Sequence, residues 1–103
     1  MRQKVYEYLR TIPKGKVVTY GQIAEYLGDK HLARVVGKIL HENPDESKYP
    51  CYKVVNAKGE LSKAFVFGGI DGQKDRLEKD GICVNDYKVD LKKYKMSCIS
   101  END

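Results

Sequence analysis

Thr19-Tyr20-Gly21-Gln22-Ile23-Ala24-Glu25-Tyr26-Leu27-Gly28-Asp29, with the run Lys30 to His41 directly behind it, decides the fold. Thr19 followed three residues later by Gln22 makes a capping box, in which the hydroxyl and the amide each satisfy a backbone N–H that the helix start leaves unpaired. Tyr20, Ile23, Ala24 and Leu27 then share one face, and Gly28 is a natural stop. Asp29 can cap the next helix, where Leu32, Val35, Val36, Ile39 and Leu40 form a continuous buried stripe. Asn43-Pro44 terminates it. Two short helices joined by about three residues, the second strongly amphipathic, have the spacing of a helix-turn-helix.

Upstream, residues 2–12 place Val5, Tyr8, Leu9 and Ile12 on one stripe of a helix that Pro13-Lys14-Gly15 ends. Lys16-Val17-Val18 is a short strand or an extended lead-in. Downstream, residues 45–50 are a polar loop, Cys51 to Asn56 reads as a strand, and Asn56-Ala57-Lys58-Gly59 as a turn. Ala64-Phe65-Val66-Phe67 is the candidate return strand of a small wing. Gly68-Gly69 then leads to a helix from about Asp71 to Asp80, anchored by Leu77 and closed by Gly81. Val84 to Tyr94 alternates weakly through Tyr87, Val89 and Leu91 and is expected to pack along the domain. The tail 95–103 is expected to be disordered. These elements give a single domain over residues 1–103, mainly α with a small β wing: a winged helix-turn-helix.

A chain of 103 residues is one small domain, and 41% hydrophobic with 33% charged residues suits a soluble globular protein. No apolar run approaches the roughly 20 residues of a membrane span. Met1-Arg2-Gln3-Lys4 opens an amphipathic pattern rather than an apolar signal core, so no export, no membrane and a cytoplasmic location are expected. The net charge of +4 suits a polyanionic partner or an ordinary basic protein about equally. Cys51, Cys83 and Cys98 form no CxxC pair, which argues against zinc and fits a reducing compartment. No metal and no cofactor are expected.

The polar side of residues 30–42 carries Lys30, Ala33, Arg34, Gly37, Lys38 and His41. Ala33 and Gly37, four apart, stack along one face. Their small side chains leave a flat strip where a phosphate backbone or groove wall could approach, flanked by Arg34 and Lys38. The bland alternative is a solvated basic face with a mid-helix glycine tolerated at about 1 kcal/mol.

Four segments in order then settle the resemblance: Thr19-Tyr20-Gly21-Gln22-Ile23-Ala24, Ala33-Arg34-Val35-Val36-Gly37, Asn43-Pro44 and Tyr49-Pro50-Cys51-Tyr52-Lys53-Val54-Val55. Together they resemble the DNA-binding domain of the O6-alkylguanine-DNA alkyltransferases, over roughly residues 3–82. That family moves an alkyl group from guanine onto the cysteine of a proline-cysteine-histidine-arginine motif. The resemblance implies a second helix lying in the minor groove. It implies that Arg34 fills the hole left by a flipped nucleotide, that Tyr20 presses on the 3′ phosphate, and that Asn43 stabilises the turn into the cysteine loop. It also places His41 near phosphate, although a solvated role fits His41 as well. Flipping is physically required, because O6 of a stacked guanine is out of reach of a buried thiol. Minor-groove binding suits little sequence preference.

The same resemblance exposes departures. Cys51 aligns with the alkyl acceptor, but Tyr52 replaces the histidine that lowers the thiol pKa, Lys53 replaces the arginine, and Asp80 stands where a glutamate orients the histidine. A tyrosine near pKa 10 is a poor base for a thiol near 8.5. Without activation only a few per cent of Cys51 would be thiolate at neutral pH, slowing transfer by roughly one to two orders of magnitude. Lys53 is a nearby cation, but successive strand side chains point to opposite faces. As a plain structural residue, Cys51 is a small buried hydrophobe. Gln73 replaces a family lysine, and the stretch from Gly59 to Gly68-Gly69 is about two residues longer, with Phe67 nearest to the family's lesion-contacting serine. Gln73, the single domain and the tail Lys88-Val89-Asp90-Leu91-Lys92-Lys93-Tyr94 resemble the alkyltransferase-like proteins, which flip O6-alkylguanine without repairing it and flag it for nucleotide excision repair. Those proteins typically carry tryptophan or alanine where this chain has Cys51.

The leading expectation is therefore a monomeric lesion sensor for double-stranded DNA containing O6-alkylguanine. It holds the base in a pocket of Tyr20, Pro50, Cys51, Tyr52, Val54 and Phe67. A single-turnover methyltransferase with Cys51 as acceptor, assisted by Tyr52 and Asp80, is the alternative. A winged-helix transcriptional regulator is the third reading, though no apolar dimer stripe is evident.

Overall fold

The computed structural model describes residues 1–96. Its first helix, α1 (Arg2–Leu9), turns Val5, Tyr6 and Leu9 inward. Tyr6, rather than Tyr8, is the buried tyrosine, and its hydroxyl donates to the Ile39 carbonyl at 2.8 Å. The chain beyond Leu9 tightens into i→i+3 bonds from Arg10, Thr11 and Ile12 ahead of Pro13, which is why the helix is shorter than its apolar stripe.

β1 (Val18–Thr19) feeds directly into α2 (Tyr20–Tyr26), and the capping box is complete: Thr19 Oγ1 accepts from Gln22 N–H and Gln22 Oε1 accepts from Thr19 N–H. Gly28, at φ +103°, reverses the chain. Asp29 accepts from His31 N–H at 2.9 Å and starts a 3-10 turn, Lys30–Leu32, that runs into α3 (Ala33–His41). Val36, Ile39 and Leu40 of α3 face the core, whereas Val35, at the margin of the stripe, stays 40% exposed.

The expected strand from Cys51 begins only at Val54. Cys51–Lys53 is a 3-10 turn, and β2 (Val54–Val55) pairs in parallel with β1, Val18 opposite Val54 and Thr19 opposite Val55. A two-stranded parallel pair with both faces covered favours apolar residues, and Val18, Val54, Val55 and the preceding Val17 supply them at 0–1% exposure. Alternation along the pair sends Val18 and Val54 into a core with the first three helices, and Val17 and Val55 into a second core with Leu61, Leu77, Ile82, Val84 and Val89.

Ala64–Phe67 forms no strand; residues 62–68 are a loop that closes over a cavity and enters α4 (Gly69–Lys79). The loop can lie this close because Gly72 lacks a side chain: a Cβ there would sit 2.4 Å from the Phe67 carbonyl oxygen. The wing is instead the hairpin of β3 (Val84–Asn85) and β4 (Lys88–Val89), whose turn residues Asp86 and Tyr87 take φ +55° and +58°. The hairpin docks on residues 59–61 through Val89 N–H to the Gly59 carbonyl at 2.8 Å and Leu61 N–H to the Tyr87 carbonyl at 3.0 Å. α5 (Leu91–Tyr94) follows. Lys95 bridges Val17, and Met96 donates to the Val17 carbonyl at 2.7 Å; the remainder of the tail expected to be disordered lies outside the described residues.

Gly59 is the tightest point of this docking. At φ +82°, an added Cβ would lie 2.2 Å from the Val89 carbonyl oxygen. Gly59→Ala should cost about 1–3 kcal/mol. Thermal unfolding should then fall by at least about 4 °C; an unchanged midpoint would show that the hairpin is not held there.

Candidate nucleic-acid interface and base pocket

The register of β1 against β2 brings the start of α2 beside the cysteine turn, and this builds the site. Tyr20 and Cys51 face one cavity of about 310 Å³, whose wall also includes Gly37, Leu40 and His41 from α3 and Val54 from β2. Ser62, Ala64, Phe65 and Val66 close it from the loop, and Gln73 supports it from α4. Of the residues expected to form a base pocket, the structure assembles Tyr20, Cys51 and Val54. Pro50 lies instead on an outer groove with Leu9, Arg10 and Ile12. Tyr52 packs against the second core. Phe67 stands behind Phe65 in an edge-to-face contact, ring centroids 5.8 Å apart. The position of Tyr52 follows from the turn itself. A 3-10 turn advances about 120° per residue, so Cys51, Tyr52 and Lys53 point three ways rather than alternating.

Asn43 holds the turn as expected. Buried to 6% exposure, it donates Nδ2–H to the Tyr49 carbonyl at 2.7 Å and accepts from Asp45 N–H at 3.0 Å. Burial pushes the Cys51 thiol above its ordinary pKa, opposed by a hydrogen bond with Asn43; Glu46 raises it further and Arg76 lowers it. Tyr52 is pushed up to about 12, first by burial and then by the neighbouring Asp80 carboxylate. A hydroxyl so reluctant to ionise cannot take a proton from the thiol.

Asp80 is committed elsewhere as well. Its Oδ2 accepts from Gly15 N–H at 2.8 Å and lies 3.5 Å from the Lys53 ammonium. Lys53, 5% exposed, also donates to the carbonyls of Ile12 at 3.2 Å and Pro13 at 3.3 Å. The pair expected as catalytic helpers, Tyr52 and Asp80, thus stands in a structural knot that ties the cysteine turn to the end of α1 and the end of α4.

Gln73 is the residue whose role the sequence concealed. At 1% exposure, its Oε1 accepts from Ser62 N–H at 2.8 Å, and its Nε2 donates to the carbonyls of Tyr52 and Val54, each at 3.0 Å. One amide therefore pins the cavity loop to the cysteine strand. Ser62, Ala64, Phe65 and Val66 carried no signal beyond an insertion of about two residues. Burial raises the Tyr20 hydroxyl pKa, and a hydrogen bond with Ser62 lowers it.

On the outer side of α3, Arg34 and Lys38 are exposed, and Ala33 and Gly37 form the flat strip between them. A Cβ on Gly37 would come within 3.9 Å of the Tyr20 ring, so this glycine marks where the exposed strip meets the cavity mouth. His41 is exposed at the rim with Nδ1 3.2 Å from the Ala64 carbonyl. The profile of the 6-O-methylguanine DNA methyltransferase DNA-binding domain matches residues 1–82.

The chain belongs to that family.

Within the 6-O-methylguanine DNA methyltransferase family, it is 40% identical over 94 residues to alkyltransferase-like protein 1 of Schizosaccharomyces pombe, covering 91% of this chain and 85% of that one. It is 42% identical over 93 residues to a DNA base-flipping protein of Vibrio parahaemolyticus, covering 89% and 91%. The crystal structure of the S. pombe protein in complex with damaged DNA containing O6-carboxymethylguanine superposes with a TM-score of 0.85 at 37% identity, covering 94% of both chains. The Mycobacterium tuberculosis methyltransferase bound to DNA superposes with a TM-score of 0.71 at 36% identity, but this chain spans only 48% of it. The winged-helix architecture is that of the family's DNA-binding domain. Among the described residues, no helix is long and apolar enough to cross a membrane.

Proposed function

We propose that this protein binds duplex DNA through the minor groove and holds an O6-alkylguanine, rotated out of the helix, in the Cys51 cavity as a lesion sensor. One observation carries this reading: the cavity opens beside the Arg34 face and contains the family's cysteine, while Tyr52, the residue that follows it, packs beside Asp80 instead of serving as its base. Arg34 takes the place of the extruded nucleotide, Tyr20 turns the 3′ phosphate, and Ala33, Gly37, Lys38 and His41 meet the backbone. A sensor that acts as a monomer inside the cell and leaves the lesion intact must pass it on, and nucleotide excision repair proteins are the proposed partners.

The competing reading, a single-turnover methyltransferase, has the position of Cys51 in the cavity wall on its side. Transfer would form a sulfur–carbon bond, break the O6–alkyl bond and restore guanine, and it requires the thiolate. Against it stand a thiol raised by burial and a Tyr52 turned towards Asp80. Incubation with an oligonucleotide carrying O6-methylguanine, followed by mass spectrometry, separates the two. The sensor reading expects an unmodified protein that still retards the damaged duplex in a gel. One methyl group gained on Cys51 overturns it.

A further inference from the structure

We infer that the cavity selects neutral, apolar O6-adducts and discriminates against anionic ones such as carboxymethyl. This rests on the base-holding reading above and adds to it the chemical class of lesion. The wall is apolar on three sides, from Leu40 on α3, Val54 on β2, and Ala64, Phe65 and Val66 on the loop. A carboxylate entering it would give up water, which costs several kcal/mol unless a cation or a set of donors replaces that water.

The cavity has few such groups free. Among the described residues, no Lys or Arg lines it. Both polar atoms of Gln73 are already bonded to Ser62, Tyr52 and Val54. Ser62 Oγ already accepts from Ala64 N–H at 3.1 Å, and His41 Nδ1 meets the Ala64 carbonyl. The Arg76 guanidinium lies over the Phe65 ring at 5.6 Å, but it is held by both oxygens of Glu46 and by the Gly72 carbonyl. That pair offers no net positive charge, and its carboxylate acts unfavourably on an anion at the cysteine. An alkyl group, by contrast, gains roughly 25 cal/mol for each Å² of apolar surface it buries there.

The test uses one duplex carrying, at a single position, guanine, O6-isobutylguanine or O6-carboxymethylguanine, with affinity measured by fluorescence anisotropy at constant salt. Isobutyl has the branched shape of carboxymethyl without its charge. The expected result is isobutyl bound at least about tenfold more tightly than carboxymethyl, because the anion is left without a partner. Ala64→Lys, which adds a cation at the exposed wall, should shrink that ratio several-fold. The ratio, unlike either affinity alone, is insensitive to the extra attraction of a lysine for phosphate. Equal or tighter binding of carboxymethyl overturns the inference while leaving the base-holding reading intact. A ratio unchanged by Ala64→Lys overturns the assignment to this wall. If both adducts bind no better than guanine, the base-holding reading itself fails.

Discussion

Arg34→Ala should abolish the preference for damaged duplex. The side chain is exposed on α3 beside the cavity mouth, so folding does not depend on it. Its proposed work is done only in the complex: it occupies the space of the extruded nucleotide and offsets the few kcal/mol lost on unstacking. Removing it leaves that cost uncompensated, and the affinity for a duplex with O6-methylguanine should drop by about 10–100-fold. Binding to undamaged duplex, which draws on phosphate contacts, should fall far less, by the loss of one cation. The melting temperature should not move. Tyr20→Phe should remove a smaller part of the preference, because it deletes one hydroxyl from a ring that stays in place. Normal lesion binding by Arg34→Ala would show that the exposed face of α3 is not the surface that opens the helix.

Lys53→Met should be strongly destabilising. The methionine keeps most of the aliphatic stem but leaves Asp80 and the carbonyls of Ile12 and Pro13 without the ammonium they share. Breaking one side of a buried ion pair costs about 3–5 kcal/mol, since the other charge stays behind. For a domain of this size that is a fall in thermal midpoint of at least about 12 °C. Adding Asp80→Asn to Lys53→Met removes the stranded charge while keeping an acceptor for Gly15 N–H, so the double variant should recover part of the loss. A cost of less than about 1 kcal/mol for Lys53→Met, read from urea unfolding, would mean that water reaches the ammonium and the knot is not closed.

The contrast between these two residues shows what the sequence made legible. Thr19, Gln22 and Gly28 act on their own neighbours, so the capping box and the helix stop could be read from spacing alone, and with them the helix-turn-helix. The proposed interface on α3 was legible for the same reason: Ala33, Arg34, Gly37 and Lys38 are one helical face whatever surrounds them. Lys53 and Asp80 are 27 positions apart in sequence, and nothing local announces that they meet. The expectation that Tyr52 and Phe67 line the pocket rests on the neighbour position of Tyr52 beside Cys51 and on the match of Phe67 to a family serine, and neither reports the local backbone path. The parallel partner of β2 is β1, and that choice frees residues 62–68 to become the cavity wall. Gln73 shows the limit most clearly. A glutamine on an amphipathic helix reads as surface, yet its amide is fully buried because three backbone groups from the loop and the cysteine turn converge on it. The true wing was hidden for a different reason. Its turn, Asp86-Tyr87, takes positive φ at both residues without the Asn-Gly or Asp-Gly pair that usually marks this geometry.

The central claim is that the cavity beside Cys51 receives a damaged base. It is tested most directly by titrating the protein into two fluorescent duplexes identical except for one O6-methylguanine in place of guanine. The expected result is at least about tenfold tighter binding to the damaged duplex, since a weakened pair makes extrusion cheaper and the pocket holds what is extruded. Equal affinity for the two duplexes would contradict the account.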